Sequence, residues 1–231
     1  MGARAESVAG GYPLVLNLDR VHDAGMGVDI YPAIAQWDCL TETLNRAGMD
    51  GILDLFYAIP PDYERDEPYY KDARFRWPPS ELTPWYGECA FRGGATRSLK
   101  THWGLWKLWD GTRERTETPA DLVDPFDRFL GPLLGDSDDG TNGPNRSCGL
   151  PLEKFNDRLT AFSPAGVTAL AQAWRECAGR VEDLRPAITA ELSEYVPWFR
   201  DFTGWAELLQ DWGAIVEEAE RRSWGLFYLA D

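Results

Sequence analysis

Apolar residues near the end of the chain recur with the period of a helix. In a helix with 3.6 residues per turn, seven of these residues lie on one face, which is typical of an amphipathic helix with one buried side. These seven are Trp205, Leu208, Leu209, Trp212, Ile215, Val216 and Ala219. Upstream, Ser163-Pro164 predicts another helix start, because Ser caps helices and Pro fits the first helical position. The buried stripe of that helix consists of Val167, Leu170, Ala171 and Trp174.

The helical period extends back to residue 99. A first stripe consists of Leu99, Trp103, Trp106 and Trp109. This stripe predicts a helix that carries three indoles on one side and ends at Gly111. Thr118-Pro119 predicts the next helix start, with the Thr118 hydroxyl as its cap. A further helix is predicted over residues 181–195, where Pro186 is tolerated only in the first turns.

Shorter apolar runs at the two ends of the chain predict strands. Residues 12–18 (YPLVLNL), 27–31 and 225–229 (GLFYL) have strand character, and the last of these is expected to join the N-terminal strands in one sheet. Residues 32–47 are predicted to form a helix ended by Gly48. The apolar run 52–59 fits strand or helix, and we predict a strand. The fold class expected is α+β, with a small mixed or antiparallel sheet packed against a mostly helical C-terminal half.

Two stretches interrupt these patterns. Residues 60–98 contain PPDYERDEPYY and WPPSELTPW, whose paired prolines favour extended backbone, so a long aromatic-rich loop is expected. Residues 136–150 are rich in Gly and Asp and predict a connector. The predicted organisation is an N-terminal α/β part over 1–135, the connector over 136–150 and a helical part over 151–231, with one shared core.

The C-terminal half resembles the YfbM-like family of uncharacterised bacterial proteins over residues 99–231. The matching segments, in order, are LKTHWGLWKLWDG, DPFDRFLGPLLG, a Gly/Asp-rich connector, LTAFSPAGVTALAQAW and AIVEEAERRSWGLFYLAD. Members typically carry a His shortly before the Gly that closes the aromatic helix. In this chain that place holds Trp106, and His102 lies about one turn earlier. The resemblance implies a fold but no established activity.

Charge and cysteine content restrict the partners and the compartment. With 23 Lys+Arg and 38 Asp+Glu, the formal net charge of −15 disfavours nucleic acid and anionic membranes as partners. The 4 cysteines form no CxxC pair, which is typical of reduced thiols in a cytoplasmic protein. A bacterial source is expected from the Arg-, Ala- and Gly-rich composition.

Motifs of nucleophilic catalysis are missing from the sequence. It contains no G-x-S-x-G elbow, no phosphate-binding loop and only two histidines. One enzymatic alternative stays open, in which carboxylates and aromatic rings process a carbohydrate or another small molecule in a cleft. Its candidate residues are Trp85, Glu88, His102 and Asp110. The competing explanation is that the helical Trp residues pack the core, as aromatic stripes usually do.

A loop of clustered oxygen ligands invites comparison with calcium sites. It contains Asp136, Asp138, Asp139, Gly140 and Asn142. The register does not fit an EF-hand, because Gly140 takes the fifth position and no Glu closes the loop. Asp and Asn beside Gly are also typical of plain turns. We therefore expect no metal ion and no cofactor.

The leading hypothesis is a non-catalytic protein that binds a basic protein partner through an acidic, aromatic surface. Acidic residues cluster around positions 64–67, 136–139 and 217–220, and electrostatic recognition of a basic protein, as a toxin-neutralising immunity protein requires, is one use for them. Aromatic rings beside acids suit a binding hot spot rimmed by charge. The candidate binding residues are Tyr63, Glu64, Asp66, Glu67, Tyr69, Tyr70, Trp77 and Trp85.

Overall fold

The computed structural model describes residues 29–57, 75–77, 85–92, 98–135, 159–194 and 199–230. Within these ranges the chain forms five strands, six α-helices and one 3₁₀ helix. In order they are β1 (Ile30–Ala35), α1 (Trp37–Tyr57), β2 (Phe75–Arg76), β3 (Tyr86–Cys89), α2 (Leu99–Thr112), α3 (Ala120–Leu134), β4 (Leu159–Phe162), α4 (Pro164–Cys177), a 3₁₀ helix (Ala178–Leu184), α5 (Arg185–Glu194), α6 (Phe202–Arg222) and β5 (Gly225–Ala230).

The five strands form one antiparallel sheet in the order β2-β3-β1-β5-β4. Ala33 of β1 pairs with Glu88 of β3 on one side and with Phe227 of β5 on the other. The predicted strand at 225–229 thus joins the N-terminal strand β1. The predicted fold class is confirmed: the fold is α+β, with an antiparallel sheet and a mostly helical C-terminal half.

The two faces of the sheet carry different layers. We call the side covered by α2–α6 the helical face and the side covered by α1 the α1 face. Ile34, Leu226 and Tyr228 lie in the core of the helical face, which contains five buried indoles from the helices. Ala33 and Phe227, which alternate with them along the strands, lie in the core of the α1 face.

Most of the predicted helix faces are confirmed. All seven residues of the last apolar stripe are buried in α6, and the stripe of α4 is buried as well. The Ser163 side chain accepts a hydrogen bond from the Gly166 amide, which is the cap predicted for α4. Buried indoles also find acceptors: Trp205 Nε1 donates to the Leu105 carbonyl at 3.2 Å, and Trp109 Nε1 donates to Asp127 Oδ1 at 2.7 Å.

Two predictions at the N-terminal end were wrong. The helix expected over 32–47 begins only at Trp37, because β1 continues through Pro32. Pro32 is tolerated because β1 pairs with β3 only from Ala33 onward, so no β3 carbonyl needs its missing N–H. The strand expected over 52–59 is the second half of α1 as far as Tyr57. Gly48, at φ 61° and ψ −148°, breaks the helical backbone between the two halves.

Two further predictions need correction in detail. Residues 181–195 do not form one helix, since the 3₁₀ helix precedes α5 and Pro186 lies in the first turn of α5. Pro119 occupies the cap position of α3, and the Thr118 hydroxyl donates to the Thr112 carbonyl at 2.7 Å instead of capping. The strand predicted at 12–18 and the connector 136–150 lie outside the described residues.

Candidate functional site

The predicted binding segment lies mainly outside the described residues. This applies to Tyr63, Glu64, Asp66, Glu67, Tyr69 and Tyr70, and to the loop from Asp136 to Asn142. The structure does describe the chain on either side of the segment. It is preceded by α1 and followed by β2, and the remaining two candidates, Trp77 and Trp85, lie next to β2 and β3.

Trp77 belongs to an aromatic and cationic stack beside the sheet edge. Its ring lies 5.5 Å from that of Phe75 and 6.2 Å from that of Trp224, in an edge-on arrangement. The Arg222 guanidinium lies 4.4 Å from the centre of the Trp77 ring and 5.0 Å from that of Trp224. Gly87 of β3 leaves the space that the Trp77 ring fills, because a Cβ there would overlap the ring. Trp77 therefore fixes the position of the chain just after β2.

Trp85 fixes the chain where β3 begins. Its carbonyl accepts a hydrogen bond from the backbone N–H of Gln36 at 2.8 Å, and its ring lies 5.0 Å from the Tyr86 ring. The Tyr86 hydroxyl donates to the Leu55 carbonyl of α1 at 3.1 Å. Burial, followed by the negative charge of Glu88, raises the pKa of Tyr86 above its ordinary value. The start of β3 is thereby tied to both ends of α1.

An ion pair with a buried carboxylate, which the sequence did not predict, fixes the chain after β3. Asp211 of α6 accepts from Arg92 twice, with Oδ1 2.7 Å from Nε and Oδ2 2.8 Å from the backbone N. The Asp211 side chain is 1% exposed and that of Arg92 is 47% exposed. Arg92 also donates to the Glu207 carbonyl. A buried carboxylate needs such partners. The sequence signal was the charged residue directly before Trp212, at the margin of an otherwise apolar stripe.

His102 lies in the core of the helical face, in contact with Phe91 and Trp212, the sequence neighbours of this ion pair. It is fully buried, and its Nδ1 accepts the hydrogen bond that Trp212 Nε1 donates at 3.0 Å. An acceptor Nδ1 places the proton of the neutral ring on Nε2. Phe91 packs against both rings, with centroids 4.8 Å from His102 and 5.2 Å from Trp212. His102 therefore has a packing and hydrogen-bonding role in the core.

The three carboxylate and histidine candidates of the enzymatic alternative lie in three different environments. Glu88 alternates with residues of the helical face and so lies on the α1 face beside Tyr86, whereas His102 lies on the helical face. Asp110 lies two turns after His102 on α2, about 12 Å along the axis, and pairs with Arg113 at 2.9 Å. The described structure does not bring the three together around one reacting atom.

The acidic cluster at 217–220 is largely compensated by arginine. Glu218 accepts hydrogen bonds from Arg221 and Arg222, which lower the pKa of its carboxyl. Glu220 accepts from Arg175 across to α4. Other surface arginines are paired in the same way between helices α3, α4 and the 3₁₀ helix, as with Arg128 and Glu176. Much of the described positive charge is thus already matched by internal carboxylates.

An open cleft lies at the end of the sheet where α1 and α4 begin and α6 ends. Its volume is about 360 Å³, and the residues that line it are Gln36, Trp37, Asp38, Pro164, Arg222, Ser223 and Trp224. Ser223 adopts a left-handed backbone, with φ 56°, that turns the chain from α6 into β5. The Trp77 stack and the Trp85 carbonyl adjoin the cleft through Arg222 and Gln36.

Within the described ranges, no group of three or more His, Cys, Asp or Glu side chains is arranged to hold a metal ion. None of the helices in the described part of the chain is long and apolar enough to cross a membrane. Comparison with protein-family models, curated proteins and solved structures gave no match for this chain.

Proposed function

We propose that the protein is a non-catalytic binding protein, of the immunity type, whose acidic and aromatic segment around Tyr63 to Tyr70 contacts a basic protein partner. The observation that carries the proposal is the anchoring of the chain around that segment. Phe56 at the end of α1 packs 5.5 Å from Tyr31 and 6.0 Å from Phe227. At the other end, Trp77 is held in the stack with Arg222.

Anchoring of this kind is what a binding loop needs. A loop that presents a recognition sequence binds more tightly when its ends are held by a rigid scaffold, because less freedom is lost on binding. Here, the scaffold includes a central sheet, two aromatic packing sites and the ion pair of Arg92 with the buried Asp211. Between Phe56 and Trp77 the sequence contains acidic residues and tyrosines, which suit a binding hot spot with a charged rim.

The charge balance favours a basic partner. The whole chain carries a net charge of −15, and many arginines of the described helices are paired with internal carboxylates. The uncompensated charge that a partner meets is therefore negative. The enzymatic alternative receives less support, since Glu88, His102 and Asp110 lie in separate environments.

Membership of the YfbM-like family and a cytoplasmic location are part of the same proposal. The resemblance implies an aromatic helix, a second helix, a strand-to-helix transition and a helix that leads into a strand. Helices α2 and α3, the β4–α4 pair and the α6–β5 pair follow in that order. This agreement in order supports kinship without identifying an activity.

The test compares two triple charge reversals with the same change in net charge. E64K/D66K/E67K alters the proposed binding segment, and E42K/D50K/D54K alters exposed positions of α1. Proteins captured from a bacterial lysate by the unchanged protein are identified and purified, and their affinities for all three forms are measured by calorimetry. We expect a basic partner whose affinity falls about tenfold or more for the first variant and much less for the second.

Two outcomes would contradict the proposal. One is capture of no basic protein by the unchanged chain. The other is an equal loss of affinity in both triple variants, which would mean that net charge alone, and not this segment, attracts the partner.

A further inference from the structure

We propose that the cleft at the end of the sheet binds a small zwitterionic ligand of the amino-acid type, with the ligand's carboxylate at Arg222 and its ammonium at Asp38. The cleft of about 360 Å³ lies at the lower end of the range of ligand pockets, about 300–1,000 Å³. A ligand of amino-acid or dipeptide size suits that volume. The inference does not rest on the partner-binding function, although both involve the stack of Arg222 on Trp77.

Arg222 supplies the positive side of the cleft in a fixed orientation. Its guanidinium is held against the rings of Trp77 and Trp224, at 4.4 Å and 5.0 Å from their centres. Its Nε donates to Glu218 at 2.6 Å. Within the described part of the chain, Glu218 is the hydrogen-bond acceptor of the Arg222 guanidinium. A guanidinium has five N–H donors in one plane. The side chain is 30% exposed, so further donors can reach a carboxylate.

Asp38 supplies the negative side. It is exposed in the first turn of α1, where a carboxylate also suits the positive end of the helix dipole. Gln36 lies in the same lining, and its Oε1, which accepts from Cys39 Sγ at 3.5 Å, has a second lone pair that can accept from an ammonium group. Opposite charges in one small cleft select a ligand that carries both. A simple anion meets repulsion from Asp38, and a simple cation leaves the remaining Arg222 donors without an acceptor on the ligand.

Indole rings form the apolar part of the lining. Trp37 is half-buried, and its ring packs over Gly225 at the start of β5, where a Cβ would overlap it. Trp224 and Pro164 complete this surface. Flat apolar surfaces of this kind pack well against an aromatic or branched side chain. The class of ligand indicated is therefore a free amino acid, or a short peptide, with an apolar side chain.

Binding is tested with three probes that differ only in their charges. L-phenylalanine carries both charges, 3-phenylpropionate lacks the ammonium, and phenethylamine lacks the carboxylate. Calorimetry with the full chain is expected to give the tightest binding for L-phenylalanine, with each single-charge probe about tenfold weaker. Failure of L-phenylalanine to bind at millimolar concentration, or equal binding of the three probes, would overturn the proposal.

Paired variants locate the site. Arg222→Gln is compared with Arg221→Gln, since both arginines share Glu218 but only Arg222 lines the cleft. Asp38→Asn is compared with Asp50→Asn on the same helix. We expect Arg222→Gln to abolish binding of 3-phenylpropionate and Asp38→Asn to abolish binding of phenethylamine, while both controls keep the affinities of the unchanged protein.

Circular dichroism spectra and unfolding midpoints establish that each variant is folded before binding is measured. If a folded Arg222→Gln variant and its Arg221→Gln control lose affinity to the same extent, the cleft is not the site and the proposal fails. The proposal also fails if folded Arg222→Gln still binds 3-phenylpropionate and folded Asp38→Asn still binds phenethylamine.

Discussion

The two faces of the sheet differ in the side chains that fill their cores and in the number of helices that cover them. The helical face is filled by large aromatic side chains whose polar atoms are bonded, as in the Trp212–His102 pair and in Tyr228, whose hydroxyl donates to the Leu133 carbonyl at 2.6 Å. The α1 face combines small residues such as Ala33 and Ala35 with larger ones such as Phe227, and a single helix covers it. A hydrogen-bonded aromatic core between several helices has few alternative packings, whereas a layer formed by one helix can adjust when a side chain is lost.

The largest expected effect compares a core residue from each face. Trp212→Ala should lower the free energy of unfolding by about 3–5 kcal/mol, because it removes a fully buried indole from among several fixed helices. Leu40→Ala on α1 should cost about 2 kcal/mol, since one helix can move to fill the space. Urea denaturation measures both values.

Trp212→Phe serves as the control for the hydrogen bond to His102. It keeps a buried six-membered ring but removes the Nε1 donor and part of the indole, so a cost of about 1–3 kcal/mol is expected. If Leu40→Ala destabilises the protein as much as Trp212→Ala, the distinction between a rigid and an adjustable face is incorrect.

An intermediate effect compares a glycine associated with each face. A Cβ on Gly213 of α6 would overlap the Trp174 indole, so Gly213→Ala should cost about 2–3 kcal/mol through overpacking. Gly48 of α1 has no atom within 4 Å of such a Cβ, but its positive φ strains any other residue. Gly48→Ala should therefore cost about 1–2 kcal/mol. Denaturation midpoints give both numbers.

A second substitution separates the two causes. Trp174→Phe makes room beside position 213, so the Gly213→Ala penalty should shrink when it is measured in the Trp174→Phe background. The Gly48→Ala penalty should stay the same in that background. A Gly213→Ala penalty that does not shrink would argue against steric overlap as its source.

The smallest effect is a difference in alkaline stability between two tyrosines. Burial raises the pKa of Tyr228 to about 12 and raises that of Tyr86 as well. A raised pKa means that each neutral hydroxyl contributes to the stability of the folded state. This contribution is fully present below the pKa of an unfolded tyrosine, near 10, and is lost as the pH rises through the pKa in the folded protein. At pH 11, Tyr228 alone should account for a loss of about 1 kcal/mol.

Stability curves between pH 8 and pH 11 for Tyr228→Phe and Tyr86→Phe test this difference. Removing Tyr228 should flatten the alkaline decline more than removing Tyr86, whose hydroxyl bonds to Leu55 nearer the surface. Equal flattening by the two variants would mean that the two hydroxyls are equally difficult to ionise in the folded protein.

Local patterns predicted the helical half well because its signals are periodic and long. The α6 stripe and the Ser163 cap needed nothing beyond neighbours in sequence. The errors arose where distant partners decide. Pro32 is typical of a helix start in its local sequence, but it belongs to β1 and pairs with β5. Residues 52–57 are helical because they pack on the α1 face. Apolar runs of that length fit either structure.

The sequence predicted less of the candidate site than of the fold. Trp77 and Trp85 stood out by composition, but their role as anchors depends on Arg222, Gly87 and Gln36, which are remote or unremarkable in the sequence. The cleft combines residues from three helices and two turns, so no local pattern marks it. Glu88, His102 and Asp110 were grouped by residue type, and three-dimensional placement separates them.

The interior position of β5 in the sheet also bears on how the chain folds. β5 lies between β1 and β4, so residues near the two ends of the described chain must meet before the middle of the sheet exists. Such pairings close a very large loop and form slowly, unlike contacts within the helical half. Until β5 arrives, β1 presents an unpaired edge to other chains. Early in synthesis, aggregation through that edge is the hazard that this topology carries.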